Sequence, residues 1–233
     1  MKTYVQNLKW RIKMKHKNVI LLVATLVCAG LAGIQAQIVK DIDGNVYKTV
    51  TIGKQIWMAE NLKTTKFNDG TLISLVSEDQ AWGALTTPAL SWYNRDEAAN
   101  KNKYGALYNW YTVSTNKLCP KGWHVSTDAE WTALTTYLGG ESVAGGKLRE
   151  TGITHWEKPN TGATNESGFT TLPGGYRNNH GAFANIGFFG FWWSATEYVP
   201  TASWCRTMGC AGSDVLRIYS LKKNGYSVRC IKD

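Results

Sequence analysis

Two cysteines near the C-terminus have a spacing that could support metal chemistry. Cys205 and Cys210 are separated by four residues, and two thiolates at this spacing could bind a soft ion such as copper(I) in linear geometry. A copper site of this kind would allow oxidation chemistry. The same two cysteines could equally close a small disulfide loop, which is the simpler alternative in an oxidising compartment.

Four of the five cysteines lie after residue 36. An even number of cysteines in an exported chain favours disulfides, although three pairings of four cysteines are possible. We predict a Cys119–Cys230 bridge, because both residues flank predicted core strands and a long loop gains most from closure. Cys205 and Cys210 would then form a local bridge. Zinc is disfavoured because the cysteines form no C-x-x-C pairs and the histidines lack ligand spacing.

Histidines and carboxylates give weaker signals of chemistry. His124 and His155 each lie next to a tryptophan, and no serine or cysteine nucleophile forms a recognisable constellation with them. We interpret both as packed or hydrogen-bonded histidines. Asp128 and Glu130 lie at the start of a predicted helix, where the helix dipole and a capping interaction account for them. The sequence therefore predicts no catalytic residue.

Aromatic and amide side chains on irregular backbone form the strongest candidate binding site. Residues 153–190 are rich in Gly and Asn, and compact domains seldom retain so long an irregular segment without a use. Aromatic rings stack on the apolar faces of sugars, while amides and carboxylates bind hydroxyls. The alternative is that Asn and Gly serve turn geometry and the tryptophans fill the core. The candidate ligand-binding residues are Trp156, Asn160, Asn165, Glu166, Tyr176, Arg177, Asn179, His180 and Trp193.

The elements that must position these residues are short strands and a few helices. Helical spacing predicts a first helix over residues 104–113. Thr127 and Glu130 have the spacing of a capping box, which predicts a second helix from Asp128 to the glycines at 139–140. A short third helix is predicted over 142–151. Alternating apolar residues predict strands at 46–52, 55–58, 191–196, 215–219 and 226–231.

The first 36 residues read as an export signal. They hold six basic and no acidic residues, an apolar run over 19–31, and small residues ending at Ala36, which together are typical of a secretory signal peptide that is removed. The formal charge of +9 falls to +3 without them. No basic cluster follows residue 37, so a nucleic-acid partner is excluded. No later apolar run reaches the length of a membrane span.

Five motifs occur in order along the chain after residue 37. They are YGALYNW at 104–110, LCPKGWHV at 118–125, LPGGYR at 172–177, WWSATE at 192–197 and YSVRCIKD at 226–233. Together they resemble the Fibrobacter succinogenes major paralogous domain, over residues 37–233. The resemblance implies exported or surface proteins of the Bacteroidetes and Fibrobacter groups, with a fold related to C-type lectins and no established activity.

A more distant similarity is to the formylglycine-generating, sulfatase-modifying enzymes. Their R-L-P-T-E-A-E-W motif resembles residues 124–131, and their copper-binding C-x4-C pair resembles Cys205 and Cys210. The Gly-Gly-Ser-Trp sequence that leads into that pair is missing here. The intact calcium motifs of C-type lectins are missing too, so calcium-dependent sugar binding would rest on fold analogy alone.

These observations combine into one prediction. Residues 1–36 are a signal peptide, and residues 37–233 form one α+β, C-type-lectin-like domain with two small antiparallel sheets, two main helices and long irregular loops. We predict a noncatalytic module that binds glycan or a surface protein without a cofactor, and that is exported to the extracellular space, the outer cell surface or the periplasm. The alternative is a copper-dependent oxidase of the formylglycine-generating type that uses Cys205 and Cys210.

Overall fold

Short strands dominate residues 38–233, which is the range that the computed structural model describes. The predicted signal peptide, residues 1–36, lies outside this range. No helix between residues 38 and 233 is long and apolar enough to cross a membrane. The strands are β1 (Ile38–Lys40), β2 (Val46–Ile52), β3 (Gln55–Met58), β4 (Ser74–Leu75), β5 (Ala89–Ser91), β6 (Leu107–Tyr108), β7 (Trp123–Val125), β8 (Gly174–Arg177), β9 (Phe183–Ile186), β10 (Phe189–Val199), β11 (Ala202–Gly209), β12 (Leu216–Leu221) and β13 (Cys230–Lys232).

The helices are short and lie mainly in the middle of the chain. They are α1 (Asp79–Ala84), α2 (Glu97–Tyr104), α3 (Trp110–Val113), α4 (Asp128–Tyr137) and α5 (Glu141–Leu148), with a 3-10 turn at Tyr93–Arg95. The prediction of a single helix over 104–113 is wrong. Gly105 adopts a φ of +77°, and a Cβ there would lie 2.7 Å from the Leu62 carbonyl oxygen. The chain therefore leaves α2 at this glycine and forms β6 before α3 begins.

The strands form three sheets with mostly antiparallel neighbours. The first sheet has the order β1-β2-β3-β13-β7, the second β12-β11-β10-β8-β9, and the third, which was not predicted, β4-β5-β6. Two neighbours, β8 with β10 and β4 with β5, pair in parallel. The mixed α+β class is therefore confirmed.

The C-terminal strand closes the first sheet. In β13, Ile231 pairs with Trp57 on one side and His124 on the other. The predicted Cys119–Cys230 disulfide is confirmed, with a Cα–Cα distance of 6.0 Å and a sequence separation of 111 residues. Cross-linking a loop of this length stabilises the fold by roughly 4–5 kcal/mol in the chain-entropy account.

The start of α4 follows the predicted capping box. The Thr127 hydroxyl accepts a hydrogen bond from the Glu130 backbone N–H, and the Glu130 carboxylate accepts one from the Thr127 backbone N–H. Trp131 and Leu134 lie on one face of this helix and are fully buried. Local sequence therefore fixes where this helix begins and which face it buries.

Two hydrophobic clusters lie on opposite faces of the second sheet. The first cluster contains Trp193 and Cys205 together with the disulfide. The second contains Trp192 and Met208 and is covered by Trp131 of α4. Neighbouring residues of a strand point to opposite faces, so the adjacent Trp192 and Trp193 enter different clusters. Both faces of β10 are therefore buried along its first half.

Four buried arginines hold the loops around these clusters. Arg149, Arg177, Arg206 and Arg229 are each at most 1% exposed. Arg229 donates to the carbonyl oxygens of Met58 at 3.0 Å and Phe169 at 2.7 Å, and to Asn61 Oδ1. Burial lowers its pKa to about 9. Loop carbonyls take the place of water around Arg149, Arg177 and Arg229, whereas Arg206 pairs with Asp128 of α4. The first three arginines therefore need their loops to be folded.

The predicted irregular region over 153–190 contains regular structure. Its second half forms the hairpin β8–β9, in which Tyr176 pairs with Ala184. Arg177, in β8, donates from Nε to Gly181 O at 2.8 Å and from NH2 to Ser77 O at 2.7 Å. The hairpin turn is thus attached to the segment before α1.

Candidate functional site

The two tryptophans that were predicted to bind a ligand are part of the core. Trp156 is 1% exposed and Trp193 is 0% exposed. The Trp156 indole N–H donates to Thr171 O at 3.0 Å, and that of Trp193 donates to Tyr108 O at 2.8 Å. Their polar atoms are satisfied inside the protein and their faces are covered. The prediction that these two rings contact a surface ligand is therefore wrong.

The amide and arginine members of the predicted site also hold the fold. Asn160 is buried, and its amide donates to the carbonyl oxygens of Glu150 and Gly152 at 2.9 and 2.7 Å. Asn165 exchanges hydrogen bonds with Thr170. Arg177 is fully buried in the contacts described above. These side chains order loop backbone, which was the alternative interpretation of the pattern.

The remaining predicted residues lie in three different surroundings. Tyr176 packs on Phe191 and Tyr226 beside the first core cluster. Glu166 is exposed and forms an ion pair with Lys147 at 3.0 Å. Asn179 and the exposed His180 lie at the β8–β9 turn, where the Asn179 amide is 3.2 Å from His180 Nε2. Four of the nine predicted residues are buried, so the set forms no common ligand surface.

The two cysteines of the predicted local bridge are free thiols that do not meet. Cys205 belongs to the first core cluster and Cys210 to the second. Cys205 lies within β11, whereas Cys210 lies in the turn that follows the end of this strand at Gly209. Burial raises the pKa of the Cys205 thiol to about 12. The prediction of a local disulfide is therefore wrong, and the two thiols are not arranged as a linear copper site.

His124 and His155, the two histidines that lie next to a tryptophan in the sequence, are both hydrogen-bonded. His124 Nδ1 lies 2.7 Å from Asp233 Oδ1, and His124 Nε2 lies 2.9 Å from Glu130 Oε1. His155 Nδ1 lies 2.8 Å from Glu150 Oε2. The structural interpretation of these histidines is confirmed. Between residues 38 and 233, no group of three or more His, Cys, Asp or Glu side chains could hold a metal ion.

An exposed aromatic cluster lies elsewhere, on the second sheet, and we call it the aromatic platform. It consists of Tyr198, Trp204 and Tyr219. The rings of Tyr198 and Tyr219 are stacked, with centroids 4.6 Å apart and an interplanar angle of 20°. Trp204 meets Tyr198 edge to face at 4.7 Å. Tyr198 is 44% exposed and Tyr219 is 59% exposed, whereas Trp204 is partly buried.

Three neighbouring strands position the platform. Trp204 of β11 pairs directly with Tyr219 of β12, and cross-strand partners share one face of a sheet. Tyr198 comes from the end of β10, after register shifts between Trp193 and Val199. Further along β11, Arg206 and Met208 share the face of Trp204, but they are buried. The platform is therefore the part of this face that the protein leaves uncovered.

An ion-pair network borders the platform at the start of α4. Asp128 accepts hydrogen bonds from Arg206 at 2.7 Å and from Arg217 at 2.9 to 3.1 Å. Burial opposes ionisation of Asp128, but the bonds from Arg217 and Arg206 outweigh it and hold the pKa of this carboxyl below its ordinary value. The Arg217 guanidinium also lies over the Trp204 ring. The charge of Arg217 is thereby neutralised, and Trp204 is held in place.

A sequence signal for the platform exists but is weak. Arg217, Tyr219 and Leu221 alternate with Ile218 and Ser220, which indicates that β12 directs them to one face. The sequence does not reveal which part of that face is left uncovered, because α4 lies some 90 residues earlier in the chain. Exposure of these rings therefore follows from tertiary packing.

Both the platform and the disulfide lie within a stretch that matches a known protein family. Residues 50–232 match the family model described as Fibrobacter succinogenes major domain. No curated protein and no solved structure matches the chain.

Proposed function

This chain belongs to the Fibrobacter succinogenes major domain family, and we propose that it is an exported, noncatalytic module that binds glycan through the aromatic platform. The observation that carries this proposal is the exposed stack of Tyr198 and Tyr219 beside Trp204. Soluble proteins usually bury such rings or use them at interaction sites. A cluster of three that remains partly open to solvent therefore supports a binding role.

Ring chemistry favours a sugar as the ligand. The C–H faces of a pyranose are apolar and flat, and they pack on exposed aromatic rings, while sugar hydroxyls need polar partners at the ring edges. Tyr198 and Tyr219 offer two phenol hydroxyls with no protein partner among residues 38–233. Arg217 retains partial exposure next to Trp204. Stacking surface and hydrogen-bonding groups thus lie side by side.

The size of the platform favours glycan over a large protein as the proposed ligand. Even full burial of three aromatic side chains covers roughly 150–250 Å² each, and these rings are already partly covered. A stable protein interface buries roughly 800 Å² on each partner. The platform alone is thus better matched to one or two sugar rings than to a protein surface.

The oxidase alternative has no support from the thiols. Formylglycine-type copper chemistry would need Cys205 and Cys210 to converge, and they lie in different core clusters. Stacking on the platform requires no metal ion. The proposed glycan recognition is therefore independent of both copper and calcium.

We also propose that the fold is C-type-lectin-like and that the chain acts outside the cytoplasm. The support for the fold is the α+β arrangement with a C-terminal strand inside the first sheet and long loops around few helices. The support for export is the Cys119–Cys230 disulfide, which requires an oxidising compartment to persist. An experimental structure and fractionation of cells that express the full chain test these two statements.

Glycan-array binding of the purified protein tests the proposed function. We expect the unmodified protein to bind a subset of glycans in the presence of EDTA. Tyr219→Ala should weaken that binding about tenfold or more, which corresponds to about 1.4 kcal/mol. Tyr137→Ala is the matched control, because Tyr137 is 66% exposed but lies at the far end of α4.

Three results would contradict the proposal. They are an array with no bound glycan, equal binding by Tyr219→Ala and the unmodified protein, and binding that EDTA abolishes. The last result would instead indicate calcium-dependent recognition at another site. Circular dichroism and thermal melting of each variant separate loss of binding from loss of the fold.

A further inference from the structure

Strand β12 is an open edge of the second sheet. It pairs with β11 on one side, and no other strand between residues 38 and 233 pairs with its outer side. Its apolar side chains are exposed on both faces of the sheet. Leu216 points to the face of the first core cluster, whereas Tyr219 and Leu221 point to the platform face. Such an edge presents unpaired backbone groups together with apolar contact surface.

The outward backbone groups of β12 can be assigned from the ladder. The Lys222 N–H donates to Thr201 O, on the side of β11. Because backbone groups alternate in direction along a strand, Ser220, Ile218 and Leu216 also face β11. The N–H and C=O groups of Arg217, Tyr219 and Leu221 therefore point away from the sheet.

The usual protection of an edge strand is weak here. Natural edges are blunted by outward charges, proline or bulges. Arg217 is the charged side chain within β12, and it is folded back onto Asp128 and Trp204. The neighbouring Lys222 is turned inward and pairs with Glu197 at 2.7 Å. No free charge within the strand would repel a second strand.

We propose that β12 pairs antiparallel with β12 of a second copy of this chain, in a register centred on Tyr219. In this register Tyr219 lies opposite its own equivalent, and Arg217 lies opposite Leu221 of the other copy. Arg217 and Tyr219 then contribute both their N–H and C=O groups, and Leu221 contributes its N–H, because its carbonyl already accepts from the Asn224 N–H at 2.9 Å. A register centred on Ile218 would leave Leu221 beyond the paired segment. The symmetric register therefore satisfies the most backbone groups.

A second copy is favoured over an unrelated strand by symmetry and charge. Two copies of this edge are complementary to each other, because a two-fold axis sets the same outward backbone groups of Arg217, Tyr219 and Leu221 on both sides of the interface. Pairing places Arg217 near Leu221 of the other copy, and the ion pair with Asp128 already neutralises that arginine. No like charges are brought together.

Pairing would also enlarge the platform. A two-fold axis normal to the sheet keeps equivalent faces on the same side, so the two platforms would become continuous across the Tyr219 pair. This consequence rests on the proposed glycan function, whereas the pairing itself does not. The joined surface would carry six rings and would suit a longer saccharide, which two copies would hold more tightly than one.

Analytical ultracentrifugation over a concentration series tests the pairing independently of any ligand. We expect the unmodified protein to sediment with the mass of two chains at high concentration and to dissociate on dilution. Leu221→Lys should weaken self-association by about tenfold or more, because a free lysine charge on an edge strand opposes pairing with a second strand. Leu72→Lys is the control for surface charge, since Leu72 is exposed and does not belong to the second sheet.

Cysteine cross-linking tests the register. Cα atoms of a hydrogen-bonded antiparallel pair lie about 5.5 Å apart, within the range of a disulfide. Oxidation of Tyr219→Cys should therefore give covalent dimers, whereas Ile218→Cys should not, because Ile218 faces Ser220 of the other copy. A protein that sediments as one chain at all concentrations, or equal cross-linking of both variants, would overturn the proposal.

Discussion

The guanidinium carbon of Arg217 lies 3.5 Å from the centroid of the Trp204 ring. The same guanidinium donates to both carboxylate oxygens of Asp128. The first turn of α4 is thereby coupled to the ring that supports the Tyr198–Tyr219 stack. A change in the helix start should therefore be transmitted to the platform.

Asp128→Asn should destabilise the protein and disorder the platform. Arg206 is fully buried, and loss of the Asp128 carboxylate leaves its charge without a counterion. Breaking a buried pair in this way costs about 3–5 kcal/mol. Chemical denaturation measures the loss, with Glu97→Gln as the control because the Glu97–Lys101 pair is largely exposed. Equal effects of both variants would show that the Asp128 network adds no stability.

The core tryptophans and the platform rings should respond differently to truncation. Trp193→Ala should lower the free energy of unfolding by about 3–5 kcal/mol, because it removes a fully buried ring. Tyr219→Ala should lower it by less than about 1 kcal/mol, because that ring is exposed. Thermal melts of the two variants check the difference. If the Trp193→Ala protein were as stable as the unmodified protein, Trp193 would again be a candidate ligand-binding residue.

Counting the free thiols should distinguish the disulfide-bonded pair of cysteines from the two free ones. Residues 38–233 contain one disulfide and two free thiols. Alkylation after denaturation without reductant should therefore modify Cys205 and Cys210, and alkylation after reduction should also modify Cys119 and Cys230. Mass spectrometry of the peptides identifies which cysteines are alkylated with and without reduction. Protection of Cys205 and Cys210 before reduction would show that the local bridge forms after all.

Protonation of His124 should stabilise the contact between β7 and the chain end. Burial lowers the pKa of His124, but hydrogen bonds with Asp233 and Glu130 outweigh it and raise the pKa above its ordinary value of 6.5. A group whose pKa is raised on folding contributes stability below its unfolded pKa and loses it as the pH rises through the folded pKa.

The His124→Gln variant measures that contribution. The unfolding free energy of the unmodified protein should exceed that of His124→Gln most at about pH 5.5, and the difference should shrink towards about pH 8.5. Denaturant titrations at several pH values give both curves. A difference that is constant with pH, or one that grows as the pH rises, would contradict protonation between the two carboxylates.

Arg229→Lys should be poorly tolerated although it preserves charge. The guanidinium of Arg229 bonds to the carbonyls of Met58, Phe169 and Thr170 at once. A lysine cannot reproduce this fork, and each carbonyl left unsatisfied costs about 1–3 kcal/mol. Denaturation should show a loss of about 3 kcal/mol, whereas Lys232→Ala, at an exposed site, should show almost none. A fully stable Arg229→Lys protein would contradict this role.

Local signals in the sequence were sufficient for part of the fold. The capping box at Thr127 and Glu130 acts within one turn of helix, so its residues predict α4 without reference to the rest of the chain. Alternation likewise predicted β2 and β3. The helix expected over 104–113 failed because Leu62 passes close to Gly105, a contact between segments that helical spacing cannot reveal.

The candidate site could not be located from sequence for the same reason. Trp193 and Trp204 are both tryptophans on neighbouring strands of the second sheet, yet one is fully buried and the other belongs to the platform. The difference depends on what covers each part of the second sheet. Similarly, Cys205 and Cys210 are close in sequence but belong to different core clusters, whereas Cys119 and Cys230 are distant in sequence and bonded.

The interior place of β13 in the first sheet bears on how that sheet can assemble. This strand, Cys230–Lys232, pairs with both β3 and β7, which do not pair with each other. The sheet therefore stays in two separate parts until β13 is inserted between them. Its closure depends on pairing between segments far apart in the sequence, and such long-range pairing is characteristic of slow-folding β topologies.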